Sequence, residues 1–278
     1  MNALPRFILA LTLALAPAVA LAQFDHTHAA WDALVKKHVK VIDGGKSSQA
    51  DYAAFARDRG ALEAYLAQVS KVSEAQFARW PKPEQMAFLI NAYNAFTVEL
   101  ILTKYPDLKS IRDLGNLLFN SPWKKKFFTL FGREAWLDQI EHEMLRKPGV
   151  YDEPRVHFAV NCASIGCPML REEAFVALRL DAQLEEQARR FLSDRSRNRF
   201  DAGSGKLLVS EIFKWFKEDW SSGYAGIGSA GPVTSREQYF ARYADLLADK
   251  PEHRRLVAAG KAPIDYTSYD WSLNDLPK

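Results

Sequence analysis

The stretch from Val156 to Pro168 holds both cysteines of this chain, Cys162 and Cys167, with His157 five residues before the first. A thiol attacks a carbonyl carbon or a disulfide only after a base or a positive environment lowers its pKa. His157 is the nearest candidate base by position, and the apolar residues around it read as a short buried strand from Arg155 to Asn161. Residues five apart on a strand point to opposite faces, so His157 can serve Cys162 only if the chain bends near Asn161. Cys162 could sit at a helix N-terminus, where backbone N–H groups would stabilise a thiolate or form an oxyanion hole. Ser164 is a weaker nucleophile candidate, because the glycines of a hydrolase elbow do not surround it.

Two further constellations could complete such a site. Asp138-Gln139-Ile140-Glu141-His142 places Asp138 and His142 four apart, facing each other on a helix, where a carboxylate can orient an imidazole. His142 is therefore a second candidate base, with Asp138 and Glu141 beside it. Asn91 and Asn94 sit three apart on the most apolar helix of the chain. A buried amide must find partners or cost about 1–3 kcal/mol, so these two either tie the helix to a loop or orient a catalytic group. No zinc motif, phosphate loop or dinucleotide fingerprint is present, and neither a metal nor a cofactor is expected.

The elements that must position these residues are mostly helical. Trp31, Leu34, Val35 and Val39 recur at helical spacing from Thr27 to Lys40, and Phe55, Leu62, Tyr65 and Leu66 do so from Asp51 to Val69. Ser73 with Gln76 forms a capping box. Glu84 to Tyr105 is apolar nearly all round, the mark of a central buried helix, and Pro106 ends it. Phe131-Gly132-Arg133-Glu134 reads as a hairpin turn, and Asp138 opens a helix to about Arg146. Further helices are expected from Asp181 to Ser193, Ser210 to Trp220, Arg236 to Leu247 and Pro251 to Ala259, with a strand at Lys206–Val209 and a partly extended tail. The class is α+β: a mainly helical single domain with a small antiparallel sheet.

Arg6, the apolar run Phe7–Ala16 and the small residues of Ala20-Leu21-Ala22 have the layout of a secretory signal peptide cut after Ala22. Residues 1–22 would then be the leader, 23–50 an N-terminal helix and linker, and 51–278 one globular domain, periplasmic or secreted, with no transmembrane segment after cleavage. Export makes a disulfide between Cys162 and Cys167 an alternative to free thiols. The net charge of +3 is too small to point to nucleic acid, and the sequence names no other partner.

The motifs taken together resemble the family named domain of unknown function 547. The likeness runs through Phe88-Leu89-Ile90-Asn91-Ala92-Tyr93-Asn94-Ala95, Leu137-Asp138-Gln139-Ile140-Glu141-His142 and Pro154-Arg155-Val156-His157-Phe158-Ala159. It continues in Cys162-Ala163-Ser164, Cys167-Pro168 and Tyr269-Asp270-Trp271-Ser272-Leu273-Asn274. The resemblance implies one intact domain in which the asparagine, Glu-His and His-Cys motifs form a joint site, and it brings no reaction with it. Three functions stay open. The first is a cysteine-dependent hydrolase or acyl transferase of the cell envelope, with Cys162 as nucleophile, His157 or His142 as base, and Asn91, Asn94 or Asp138 as orienter. The others are a thiol–disulfide redox protein and a non-catalytic envelope binding or assembly protein with a structural disulfide.

Overall fold

A computed structural model describes residues 23–115, 120–228 and 231–277, so the expected signal peptide lies outside the described residues. The N-terminal part is helical: α1 (Ala29–His38), α2 (Tyr52–Arg57), α3 (Arg59–Lys71), α4 (Glu74–Phe77) and α5 (Lys82–Leu102). A two-stranded antiparallel ribbon of β1 (Val39–Ile42) and β2 (Ser47–Ala50) follows α1. The expected helix from Asp51 to Val69 is broken into α2 and α3 at Asp58, whose carboxylate is drawn outward to Lys37 and His38. The Ser73–Gln76 capping box opens α4 as the sequence predicts.

α5 is the axis of the larger core. Its residues from Met86 to Thr97 are all buried, and it packs against α2, α3 and the turn of helix at Gln139–Leu145. Two polar residues on this helix carry much of its connectivity. The Asn91 amide donates to the Phe175 carbonyl at 2.7 Å, and its oxygen accepts from the Phe175 N–H at 3.0 Å. Asn94 donates to the Ala159 carbonyl at 2.9 Å and accepts from the Asn161 N–H at 2.8 Å. Each side chain thus replaces a strand partner for a buried loop, which would otherwise carry unpaired peptide groups.

The hairpin of β3 (Phe128–Leu130) and β4 (Arg133–Ala135) turns at Phe131 and Gly132, both with positive φ, as a two-residue loop requires. After α6 (Leu180–Leu192) comes a three-stranded sheet of β5 (Arg199–Asp201), β6 (Lys206–Ser210) and β7 (Ile264–Thr267). The β5–β6 pair is antiparallel, but β6–β7 is parallel, because the chain passes through α7 (Ile212–Trp215), α8 (Arg236–Ala241), α9 (Ala244–Leu247) and α10 (Pro251–Ala258) before returning. The β1–β2 and β3–β4 ribbons are the small antiparallel sheets expected of this α+β fold, and only the three-stranded sheet is mixed. A second core cluster, centred on Phe158, Phe191, Phe213 and Trp220, packs under this sheet. Among the described residues no helix is long and apolar enough to cross a membrane.

Asn91→Ala and Asn94→Ala should each lower unfolding stability by about 2 kcal/mol, because each leaves a buried peptide unsatisfied. Urea titration followed by circular dichroism checks this; a loss within error of zero would show that the loops do not need the clamps.

Candidate functional site

The segment ahead of the cysteines is a 3₁₀ turn, Pro154–Phe158, and not the strand expected from its apolar run. Pro154 presets the first turn, and the Glu153 carboxylate caps it by accepting from the Arg155 N–H at 3.0 Å. Nor does a helix follow Cys162: residues 161–168 form a loop, so the expected helix N-terminus is absent there. That loop is rigid by hydrogen bonding. Asn161 donates through its amide to the Pro168 carbonyl at 2.8 Å and accepts from the Ala163 N–H at 2.9 Å. Ala163 takes φ +59°, a left-handed conformation that costs a non-glycine residue about 1 kcal/mol. The C-terminal tail then pairs against the loop, with Ile165 N–H donating to Ser272 and Gly166 N–H to Asp270, both at 2.8 Å. A Cβ on Gly166 would stand 2.9 Å from the Tyr269 ring and 3.0 Å from the Asp270 backbone, so only glycine lets the tail come this close.

The tail delivers a phenol to the thiol. Cys162 Sγ lies 3.1 Å from the Tyr269 hydroxyl, 3.2 Å from the Ser164 hydroxyl and 2.7 Å from Cys167 Sγ. No bond joins the two sulfurs in this structure: 2.7 Å separates them, against about 2.05 Å in a disulfide. Cys162 is partly exposed and Cys167 is buried. Burial works against a thiolate at Cys162, but hydrogen bonds from Cys167, Ser164 and Tyr269 outweigh it and bring its pKa below the ordinary value. At Cys167, burial and the neighbouring Cys162 both push the pKa up. The two thiols are thus made unequal, the accessible one acidic and the hidden one not.

Cys162 opens into a cleft of about 160 Å³ lying where the two core clusters meet. Tyr93 and Val160 come from the α5 side, Ile212 and Phe216 from the other. His157, buried and stacked on Phe216 at 4.1 Å, also lines it. Its Nε2 lies 2.7 Å from Asp219 Oδ2, and a carboxylate only accepts, so Nε2 bears the proton and Nδ1 the lone pair. Burial lowers the His157 pKa despite this partner, which keeps the ring neutral. Asp219 is itself opposed by burial, yet His157 and Arg146 bring its carboxyl down to about 2.

The remaining candidates sit on one short element. Residues Gln139–Leu145 form a π-helix, with Arg146 N–H bonded to the Glu141 carbonyl five residues back. Such wide turns recur at functional sites. It sends Glu141 and His142 to the cleft, and Asp138, the residue just before it, lines the cleft as well. His142 Nδ1 accepts from Arg146 at 2.5 Å, and its Nε2 lies 3.7 Å from Asp138. Glu141 is only 7% exposed, and its carboxylate meets the Tyr93 phenol.

The structure therefore brings Cys162, Cys167, His157, His142, Asp138 and Glu141 to one cleft and leaves Asn91 and Asn94 out of its wall. The asparagines act at one remove: the Asn94 clamp holds the peptide of Asn161, the residue before Cys162. Neither histidine is among the hydrogen-bond partners of Cys162; Tyr269 and Ser164 occupy that place. Sequence reasoning passed over Asp219 and gave Tyr269 no chemical role. Tyr269 lies in a motif already noted, but nothing local marks its hydroxyl as a thiol ligand. Asp219 sits in a charged run, Lys217-Glu218-Asp219, that reads as solvated surface.

Among the described residues no cluster of histidine, cysteine and acidic side chains is arranged to hold a metal ion. No curated protein and no solved structure matches the chain. A family model does, over residues 77–192, a span holding α5, the π-helix and both cysteines. The matched segment is similar to the family described as protein of unknown function, DUF547.

Proposed function

We propose that the cleft is a thiol–disulfide exchange site. The observation that carries this reading is the pair of sulfurs at 2.7 Å, one facing the cleft and acidified, the other buried and held protonated. The Cys162 thiolate attacks one sulfur of a substrate disulfide; that S–S bond breaks, a substrate thiolate leaves and takes a proton from solvent, and a mixed disulfide forms. Capping Cys162 removes the negative charge that had kept Cys167 protonated. Cys167 then gives up its proton, attacks Cys162 Sγ and expels the second substrate thiolate. The substrate gains two electrons, the protein holds a Cys162–Cys167 disulfide, and an external dithiol returns it to the starting state.

The neutral His157, with its lone pair on Nδ1 and Asp219 behind it, supports a second reading: acyl transfer to Cys162 with His157 as base. It has less support, because the hydrogen-bond partners of the thiol are hydroxyls and a second thiol. We also infer export to the periplasm or beyond, supported by the leader-like pattern of residues 1–22, where the pair would meet disulfides.

Cys167→Ser separates the two readings. Exchange should stall with a trapped mixed disulfide on Cys162, seen by mass spectrometry, whereas acyl transfer should continue. A reduction potential for the pair below about −300 mV would make the bond structural and end the redox reading. Iodoacetamide alkylation of Cys162 should follow a pH profile set by its thiol. Tyr269→Phe removes a donor to the thiolate and should move the midpoint up by about one pH unit. Glu141→Gln removes a repelling charge and should move it down; unchanged midpoints in both would refute the assigned thiolate environment. N-terminal sequencing of the protein recovered from the envelope should begin at Gln23.

A further inference from the structure

The walls of the cleft carry more chemistry than disulfide exchange uses. Trp123, Trp215, Tyr269 and Trp271 line it, with Trp215 stacked on Trp271 at 5.7 Å and Tyr269 tilted against both, at 4.8 and 4.5 Å. Trp215 is 42% exposed, unusual for so large an apolar side chain unless something covers it. Asp138 and Glu141 supply the charge of the cleft, and among its described lining residues there is no lysine or arginine. The nearby guanidinium of Arg146 is spent on Asp219. Glu141 is the telling group. It is more than nine-tenths buried, and among the described residues no cation pairs with it. A buried carboxylate favours a counter-charge placed beside it. Its field reaches the other groups here, opposing ionisation of both Tyr93 and Cys162.

A cation entering the cleft would relieve this imbalance, and aromatic faces with a carboxylate beside them are the surroundings in which organic ammonium groups are bound. The volume, about 160 Å³, is close to that of a cavity that admits benzene, which suits a head group the size of trimethylammonium. We infer that the cleft binds an ammonium group between Glu141 and the rings of Trp215, Tyr269 and Trp271, so that the substrate at Cys162 is an ammonium-bearing disulfide. The substrate assignment rests on the exchange reading above; the ammonium site itself stands on the cleft alone. The bound charge would also offset Glu141, easing ionisation of Cys162 only when substrate is in place.

The test uses choline and its neutral isostere, 3,3-dimethyl-1-butanol, titrated into the full exported chain with tryptophan emission as readout. Choline should quench saturably, with half-saturation about tenfold lower than the neutral alcohol, as a desolvated cation–π contact predicts. Glu141→Gln should abolish that preference; Asp138→Asn should weaken it and is the check if Glu141→Gln does not fold. Cys162→Ser should keep it. In the exchange assay cystamine should outrun bis(2-hydroxyethyl) disulfide about tenfold in kcat/KM. Equal binding of choline and the alcohol, or binding of neither, overturns the inference even if both disulfides are reduced. Choline preference without reduction of any disulfide leaves the ammonium site standing and removes the exchange reading.

Discussion

The site depends on two amides buried in an apolar helix. α5 could have been packed with aliphatic side chains alone, but Asn91 and Asn94 each grip both polar groups of a loop backbone. The peptides from Ala159 to Asn161 and at Phe175 have no strand to pair with, and burial without partners would be costly. With the clamps in place, the chain can run through the core as an irregular loop and still be fixed. Cys162 leaves that loop directly after the clamped residue. The thiol therefore owes its position to the helix although no side chain of the asparagines touches it.

From the other side, the C-terminal tail closes the arrangement. Its backbone pairs with residues 163–166 at an approach that Gly166 alone permits, and this sets the Tyr269 hydroxyl on Cys162. Asn274 continues the seam, donating its N–H to the Ala163 carbonyl and accepting from the Tyr52 hydroxyl. Residues more than a hundred positions apart thus share one small hydrogen-bonded unit. The cleft forms in front of it because two hydrophobic clusters meet there without filling the space between their aromatic rims.

Much of the fold was legible from residue pattern. The all-round apolar run of α5, the Ser73–Gln76 box and the Phe131-Gly132 turn are local signals, each decided by a few neighbouring residues. The apolar stretch Val156–Val160 misled because burial on all sides looks alike in a strand and in a buried turn; Pro154 and the Glu153 cap select the turn. The parallel pairing of β6 with β7 was hidden for another reason: it joins segments separated by several helices, and the pattern of each strand does not state its partner. The helix at Asp138 was expected in place, but its widening to a π-helix, where it packs against α5, has no sequence mark.

The sequence by itself determined which groups the protein has for chemistry: two thiols five apart, a histidine before them, an acidic helix turn with a second histidine, and a mainly helical scaffold to carry them. Residue type and local spacing suffice for that, because helix periodicity, caps and turns are short-range effects. Only the tertiary structure decided which groups meet. It gave the thiol a phenol and a hydroxyl as partners, turned the nearest histidine to Asp219, and made the asparagines into backbone clamps. Those choices follow from satisfying buried polar groups across distant segments, a condition that acts in space and leaves no period in the chain.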